Sequence, residues 1–144
     1  WRHVELVRKR WTGKLLIKGI MSAADAAAAE KAGVDGVIIS NHGGRQIDCS
    51  IAALDALCRI TDRGLAIPVL YDGGVRRGSD VLKALKAGAD FVFVGRPMLL
   101  AAAAGGTRGV AHAIDLLTRE VSMNMALLGI NSPGEIGNVE MIRE

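Results

Sequence analysis

The chain has 144 residues and carries 18 lysines and arginines against 15 aspartates and glutamates, which gives a formal net charge of +3. Half of the residues are hydrophobic and only 3% are aromatic, a balance typical of one globular α/β domain and not of a disordered chain. The basic residues do not gather with aromatic ones on one face, which argues against nucleic-acid binding, and no apolar run approaches the roughly 20 residues that span a bilayer.

The predicted elements alternate between helices and strands along the chain. An amphipathic helix comes first, at Val4 to Trp11, and Ser22 with Asp25 forms a capping box at the start of the next helix. Beyond the first helix we predict strands near 15–18, 36–40, 67–71 and 91–94, and helices near 22–32, 51–62, 79–87 and 107–128.

Two segments of the chain resemble each other: KAGVDGVIIS, from Lys31, and KAGADFVFVG, from Lys86. Each indicates the last turn of a helix, a glycine that ends it in the left-handed conformation, and then an apolar strand. Such repeated units predict a parallel sheet covered by helices, either a doubly wound sheet or part of a (βα) barrel. Polar residues follow the carboxyl end of all four strands, which favours a barrel, and four units are half of the eight that close one.

The turns after the third and fourth strands combine glycine with arginine. The first is DGGVRRGSD, from Asp72, and the second is GRP, from Gly95. Backbone N–H groups next to glycine, the amino end of the following helix, and Arg76 or Arg77 can all bind a phosphate. The alternative is a pair of turns that require glycine and carry solvated arginines. There is no Walker A motif and no G-x-G-x-x-G motif, so a Rossmann nucleotide site has little support.

The turns after the first two strands carry a different chemistry. His42 can take a proton near neutral pH, and Arg45 can hold a carboxylate through two parallel hydrogen bonds. Lys18 follows an apolar strand, so we expect it to meet an anion at this edge, the alternative being a side chain that extends into solvent. A structural histidine is the alternative for His42. A base beside a carboxylate-binding group suits a substrate whose reacting carbon adjoins its carboxylate.

The two cysteines, Cys49 and Cys58, are nine residues apart and have no histidine at ligand spacing. We therefore expect neither a metal site nor a disulfide framework, and a reducing cytoplasmic location. The chain starts at Trp1 without an initiator methionine, and we interpret it as a piece of a longer protein.

Four strings carry a specific resemblance to a known family: LLIKGI, SNHGGRQID, DGGVRRGSDVLKAL and VFVGRP, in this order. Together they resemble the carboxyl-terminal half of the FMN-dependent α-hydroxy acid oxidases and dehydrogenases. The resemblance covers residues 1–144 as one unit and implies a TIM (βα)8 barrel, of which this chain supplies about the last four βα units. Other FMN barrels share the phosphate site but not the pair formed by His42 and Arg45.

The resemblance also implies residue roles and a reaction. His42 is the base that takes a proton from the substrate, and Arg45 binds the substrate carboxylate. The residues expected to bind FMN are Lys18, Ser40, Asp72, Gly73, Gly74, Val75, Arg76, Gly95 and Arg96. The expected reaction is oxidation of an (S)-2-hydroxy acid of the lactate, glycolate or mandelate type to the 2-oxo acid. The residues leave open whether the α-hydrogen departs as a proton or as a hydride.

The family draws further site residues, a substrate-contacting tyrosine and an aspartate that orients the histidine, from its first four strands. We therefore expect the amino-terminal half of the barrel as a partner, as a separate chain or otherwise missing from this one. The resemblance also implies a homo-oligomer, a tetramer, and a cytoplasmic protein, with peripheral attachment to the inner membrane as a variant. The alternative function is an isolated half barrel that binds FMN or phosphate without turnover.

Overall fold

The computed structural model describes residues 1–140, in which helices and parallel strands alternate. The helices and strands in chain order are α1 (Arg2–Arg10), β1 (Leu16–Ile20), α2 (Ala23–Lys31), β2 (Gly36–Ile39), α3 (Ala53–Thr61), β3 (Val69–Asp72), α4 (Gly78–Lys86), β4 (Phe91–Phe93) and α5 (Arg96–Leu127). Short 3₁₀ turns occur at His42–Gly44 and Pro133–Asn138. The alternation predicted from the sequence is confirmed.

The four strands form one parallel sheet in the order β1-β2-β3-β4. The side chains of Val37, Ile39, Val69 and Tyr71 share one face of it, and each is at most 6% exposed. Because α2 and α3 pack on this face, it forms the main hydrophobic core. Burial beneath crossover helices explains why these strands are apolar throughout.

The opposite face of the sheet is less covered within residues 1–140. Leu16 in β1 and Phe91 and Phe93 in β4 keep 43%, 54% and 38% of their surface exposed. Their register places them on this face together with Lys18 and Asp72. An apolar inner face on a four-stranded parallel sheet is the arrangement of part of a (βα) barrel, whose interior is filled with side chains from all of its strands.

The repeated segments form the same clamp twice at the amino edge of the sheet. The Asp35 carboxylate accepts the Leu15 N–H at 2.8 Å, and the Asp90 carboxylate accepts the Val69 N–H at 2.8 Å. The N–H of each aspartate returns a 2.8 Å bond to the carbonyl of the same partner. Each clamp therefore ties the start of one strand to the start of the strand before it.

The glycines of the two repeated segments end their helices in the left-handed conformation, as predicted. Gly33 and Gly88 have φ angles of 78° and 96°, and they follow the last turns of α2 and α4. This left-handed conformation lets the chain leave the helix at once and enter the next strand.

The last helix differs most from the prediction, which placed it at 107–128. It begins at Arg96, with Pro97 in its first turn, where the fixed φ of proline suits a helix. It is broken at Gly105 and Gly106, whose φ/ψ angles of −149°/16° and 56°/−140° are not helical. The predicted segment is therefore the second of two helical pieces, and the apolar run before it forms the first.

Candidate active site at the carboxyl ends of the strands

A cleft of about 1040 Å³ lies at the carboxyl edge of the sheet. Ten of the eleven residues proposed from the sequence line it: Lys18, His42, Arg45, Asp72, Gly73, Gly74, Val75, Arg76, Gly95 and Arg96. Ser40 is the exception, because it is fully buried behind the cleft. Parallel strands bring their carboxyl ends to one edge, which is why residues up to 78 positions apart in the sequence meet here.

Seven lining residues are not among the eleven proposed from the sequence: Asn41, Gly43, Gly44, Gln46, Phe93, Pro97 and Leu99. Asn41 and Gln46 belong to the SNHGGRQ string, and their place in this string could have identified them as site residues. Phe93 ends β4 on the inner face, and Pro97 and Leu99 belong to the helical piece that the sequence prediction missed. These apolar members supply the non-polar part of the wall.

A network of charged and polar groups joins the ends of the first three strands. The Lys18 ammonium lies 2.6 Å from Asp72 Oδ2 and donates to Ser40 Oγ at 2.7 Å. The Ser40 hydroxyl donates to Asp72 Oδ1 at 2.6 Å. Lys18 therefore meets an anion, as expected, and the anion is a carboxylate of this chain, which offsets part of its positive charge.

The turn that carries His42 has an unusual backbone. His42 has a φ of 53° and is the one non-glycine residue with positive φ in the part of the chain that the structure describes. Its N–H donates to Ser40 Oγ at 3.1 Å, and the Gly43 N–H donates to the side chain of Asn41 at 3.1 Å. A Cβ atom at Gly19 would lie only 2.8 Å from His42 Nε2, so the imidazole packs directly over that glycine.

The two adjacent arginines after β3 have different surroundings, which decides between them. Arg77 pairs with Glu120 of α5 at 3.0 Å, so it is held away from the cleft. Arg76 lines the cleft, and its guanidinium has no protein partner among residues 1–140. The same holds for the guanidinium of Arg45. Two guanidinium groups are thus available for anions at this edge.

Carboxylates of the chain itself accept hydrogen bonds at the amino end of α4. The N–H of Gly78 donates to Glu120 at 2.7 Å, and the N–H groups of Arg76 and Arg77 donate to Asp80 at 3.0 and 2.9 Å. Gly78 is the first residue of α4, and Arg76 and Arg77 precede it, so carboxylates of the chain bind donors around the start of the helix and offset part of its positive charge. The contribution of this helix end to phosphate binding stays a prediction.

The glycine turn before α4 keeps its donors available. Within the described residues, the N–H groups of Gly74 and Val75 donate to no protein acceptor, and no atom lies within 4 Å of a Cβ placed on Gly74. The Tyr71 hydroxyl donates to the Gly73 carbonyl and supports this turn from the core. Burial, together with the carboxylates of Asp80 and Asp72, raises the pKa of Tyr71 to about 12, so the hydroxyl keeps its proton.

Arg96, at the turn after β4, contacts the turn that carries His42. Arg96 donates from Nη2 to the Gly43 carbonyl at 2.8 Å, although the two residues are 53 positions apart. This contact joins the end of β4 to the His42 turn across the cleft.

In residues 1–140 no group of three or more His, Cys, Asp or Glu side chains could hold a metal ion.

The fold and the position of the cleft define four units of a (βα)8 barrel with its site at the carboxyl edge. The sequence matches the FMN-dependent dehydrogenase family over residues 1–143, and the chain belongs to this family. The predicted family and fold class are thus confirmed.

Named relatives of the chain act on 2-hydroxy acids. It is 45% identical over 147 residues to a peroxisomal (S)-2-hydroxy-acid oxidase from Oryza sativa subsp. japonica, covering all of this chain and 40% of the oxidase. It is 40% identical over 145 residues to an L-lactate dehydrogenase from Pseudomonas paraeruginosa, covering all of this chain and 38% of that protein. The chain thus spans about 40% of the length of these curated relatives.

A solved structure gives the same result for the fold. The chain superposes on a soluble mutant of the membrane-associated (S)-mandelate dehydrogenase from Pseudomonas putida with a TM-score of 0.90 and 41% identity, covering 94% of this chain and 39% of that one. The relatives are thus named as peroxisomal in one case and membrane-associated in another. None of the helices described here is long and apolar enough to cross a membrane. The cytoplasmic location stays a prediction.

Proposed function

We propose that the protein of which this chain forms part oxidises an (S)-2-hydroxy acid to the 2-oxo acid with FMN as the cofactor. The observation that carries the proposal is the convergence of Lys18, His42 and Arg45, from two different strands, on one cleft. The family and the names of the relatives support the reaction type. The lactate, glycolate and mandelate classes remain the candidate substrates.

The donors of the cleft fit the parts of FMN. Its phosphate would be held by the free N–H groups of Gly74 and Val75, the guanidinium of Arg76, and the turn at Gly95 and Arg96. Asp72 and Gly73 would meet the ribityl chain. Lys18 would supply positive charge at the pyrimidine edge of the flavin, and the family resemblance implies that Ser40 also contacts the cofactor. When bound, FMN accepts the two electrons that leave the substrate.

The substrate would be oriented by two groups of the same turn. Arg45 would hold the carboxylate with its unpaired guanidinium, since a planar guanidinium can donate two parallel hydrogen bonds. This places the adjacent carbon near His42, whose imidazole takes the proton that the substrate loses as its C–OH carbon becomes a carbonyl. The packing of the ring over Gly19 restricts its orientation.

We propose that residues 1–144 form the carboxyl-terminal half of the FMN-binding barrel and require a complementary half for turnover. The inner face at Leu16, Phe91 and Phe93 supports this, because these apolar side chains stay 38% to 54% exposed within residues 1–140. The outer strands support it too, since β1 and β4 each pair on one side only within residues 1–140. The complementary half could be part of the same or a separate polypeptide. A homo-oligomer, a tetramer by the family resemblance, stays a prediction.

A second candidate function is that of a half barrel that binds FMN or phosphate without turnover. The same exposed face and unpaired edges favour it, because phosphate-binding groups from β3 and β4 are present in this chain. Unpaired edges also favour self-association of such a half barrel.

A reduction assay separates the two functions. The chain is purified alone and with the complementary four βα units as a second polypeptide, loaded with FMN, and mixed anaerobically with lactate, glycolate or mandelate. Loss of the visible absorbance of oxidised flavin supports the oxidation. Bound flavin that stays oxidised with every substrate, in both preparations, supports the binding function instead and contradicts the first proposal.

A further inference from the structure

The most connected polar group behind the cleft is the hydroxyl of Ser40, a residue with 0% exposure. It donates to Asp72 Oδ1 at 2.6 Å and accepts hydrogen bonds from the Lys18 ammonium at 2.7 Å and from the His42 N–H at 3.1 Å. It thus contacts residues that follow or end β1, β2 and β3. One side chain connects the proposed flavin-binding charges to the backbone of the proposed base.

The number of these bonds equals what a hydroxyl can make. A serine side chain has one O–H donor and two acceptor lone pairs. Asp72 takes the donor, and Lys18 and His42 take the two lone pairs. All three bonds go to residues of the chain itself, and Ser40 is not among the residues that line the cleft. Its hydroxyl can therefore act on the site through the three residues that it contacts.

The backbone conformation of His42 indicates what the Ser40 hydroxyl stabilises. A histidine with a φ of 53° is less stable than one with negative φ, and such conformations persist only where surrounding contacts enforce them. The bond from the His42 N–H to Ser40 Oγ is such a contact and acts at the strained residue itself. Without it, the turn can relax, and the imidazole would leave its place over Gly19.

We propose that Ser40 is a positioning residue that holds the His42 turn against the Lys18–Asp72 ion pair and thereby sets the direction of the imidazole. The proposal rests on the proposed oxidation, since it concerns the base of that reaction. Ser40 makes the position of the base depend on the same pair of charges that the flavin would meet. The proposed phosphate donors lie at other turns, so the loss of the hydroxyl should lower FMN affinity less than it lowers kcat.

The test compares Ser40→Ala with Ser22→Ala in the FMN-loaded protein that contains both halves of the barrel. Ser22 is a matched control because its hydroxyl also makes two hydrogen bonds, to the N–H and carboxylate of Asp25, but caps α2 away from the cleft. For Ser40→Ala we expect kcat to fall roughly tenfold or more, given the usual value of hydrogen bonds to charged groups, with FMN affinity changed less than about threefold. Ser22→Ala should leave both quantities unchanged.

A second measurement does not depend on turnover. Hydrogen–deuterium exchange of the peptide covering residues 40–46 should become faster in Ser40→Ala, while the peptides of α2 and α3 keep their wild-type rates. In Ser22→Ala the acceleration should be confined to α2. If Ser40→Ala does not fold, Ser40→Cys is measured in the same way, and because sulfur accepts hydrogen bonds weakly it should give a smaller change in the same direction.

The outcomes separate this inference from the proposed function. Wild-type exchange rates over residues 40–46 together with wild-type kcat in Ser40→Ala would overturn the positioning role, and so would faster exchange throughout the chain. Wild-type protein that no 2-hydroxy acid reduces would overturn the proposed function, while the exchange measurement would still show whether Ser40 holds the turn.

Discussion

The two edges of the sheet use charge in opposite ways. At the amino edge, Asp35 accepts from the Leu15 N–H and from Arg8 and Lys14, and Asp90 accepts from the Val69 N–H. At the carboxyl edge, guanidinium groups and backbone N–H groups keep unused hydrogen-bonding capacity among residues 1–140. The same βα unit therefore has one end whose polar groups fix strand positions and another whose polar groups remain available to ligands. We therefore expect substitutions at the carboxyl edge to affect catalysis and substitutions at the amino edge to affect stability.

The largest expected effect is on catalysis at the carboxyl edge. Replacing His42 by Ala should lower the rate of flavin reduction by roughly 10²- to 10⁴-fold, the usual contribution of a general base, while FMN stays bound. His112→Ala is the control, because His112 is exposed on α5 and outside the cleft. Stopped-flow reduction with a saturating 2-hydroxy acid measures the effect. Rapid reduction of the His42→Ala protein would remove the base from the proposal.

The next effect tests which arginine serves the phosphate. Arg76→Ala should weaken FMN binding roughly 10- to 100-fold, as expected for lost charge-assisted hydrogen bonds, and leave riboflavin binding nearly unchanged because riboflavin has no phosphate. Arg77→Ala should change FMN affinity little, since Arg77 is paired with Glu120. Fluorescence titration of the two flavins measures both affinities. Equal losses for FMN and riboflavin in Arg76→Ala would contradict a phosphate contact.

The contrast between Arg76 and Arg77 also shows where reasoning from the local pattern stops, since that pattern left both arginines open and only the family resemblance named Arg76. Ten of the eleven residues proposed from strand ends and from the family resemblance lie at the cleft, because parallel strands bring their carboxyl ends together whatever the distances in sequence. The choice between two adjacent arginines depends on Glu120, which lies 43 residues beyond Arg77. The three hydrogen bonds of Ser40 likewise depend on the tertiary fold and cannot be predicted from the residues next to it in the sequence.

Features of the fold could likewise be predicted where their signals lie close together in the sequence, and not where they depend on contacts between distant residues. Alternating apolar strands and helices, with Gly33 and Gly88 at helix ends, could be predicted because each signal lies within a few residues. The first piece of α5 was missed because its apolar, alanine-rich run is followed by two glycines, which ordinarily end a helix. The turn at His42 was missed because a histidine rarely takes positive φ without contacts from elsewhere in the fold.

A smaller effect is expected at the amino edge, and on stability alone. Asp90→Ala leaves the N–H of Val69, a residue only 6% exposed, without its acceptor, which should lower the free energy of unfolding by about 1–3 kcal/mol. Asp90→Asn keeps an acceptor oxygen and should cost less. Urea unfolding measures stability, and flavin reduction by a 2-hydroxy acid should proceed at the wild-type rate in both variants. Slower reduction in a fully folded Asp90→Ala protein would break the separation between the two edges.

The smallest expected effect is a pH dependence at the same edge. The Leu15 N–H, with Lys14 and Arg8, lowers the pKa of Asp35 to about 2 from its ordinary value near 4. Because the pKa is lower in the folded chain than in the unfolded one, the stabilisation is fully present above about pH 4 and is lost as the pH falls toward about 2. Asp35→Asn should therefore be less stable than the wild type near neutral pH, and the difference should shrink on acidification. Asp115→Asn, an exposed change on α5, should show no such trend in urea midpoints measured across this range. A gap between wild type and Asp35→Asn that stays constant down to about pH 2 would mean that the charge of Asp35 does not contribute to the stability of the clamp.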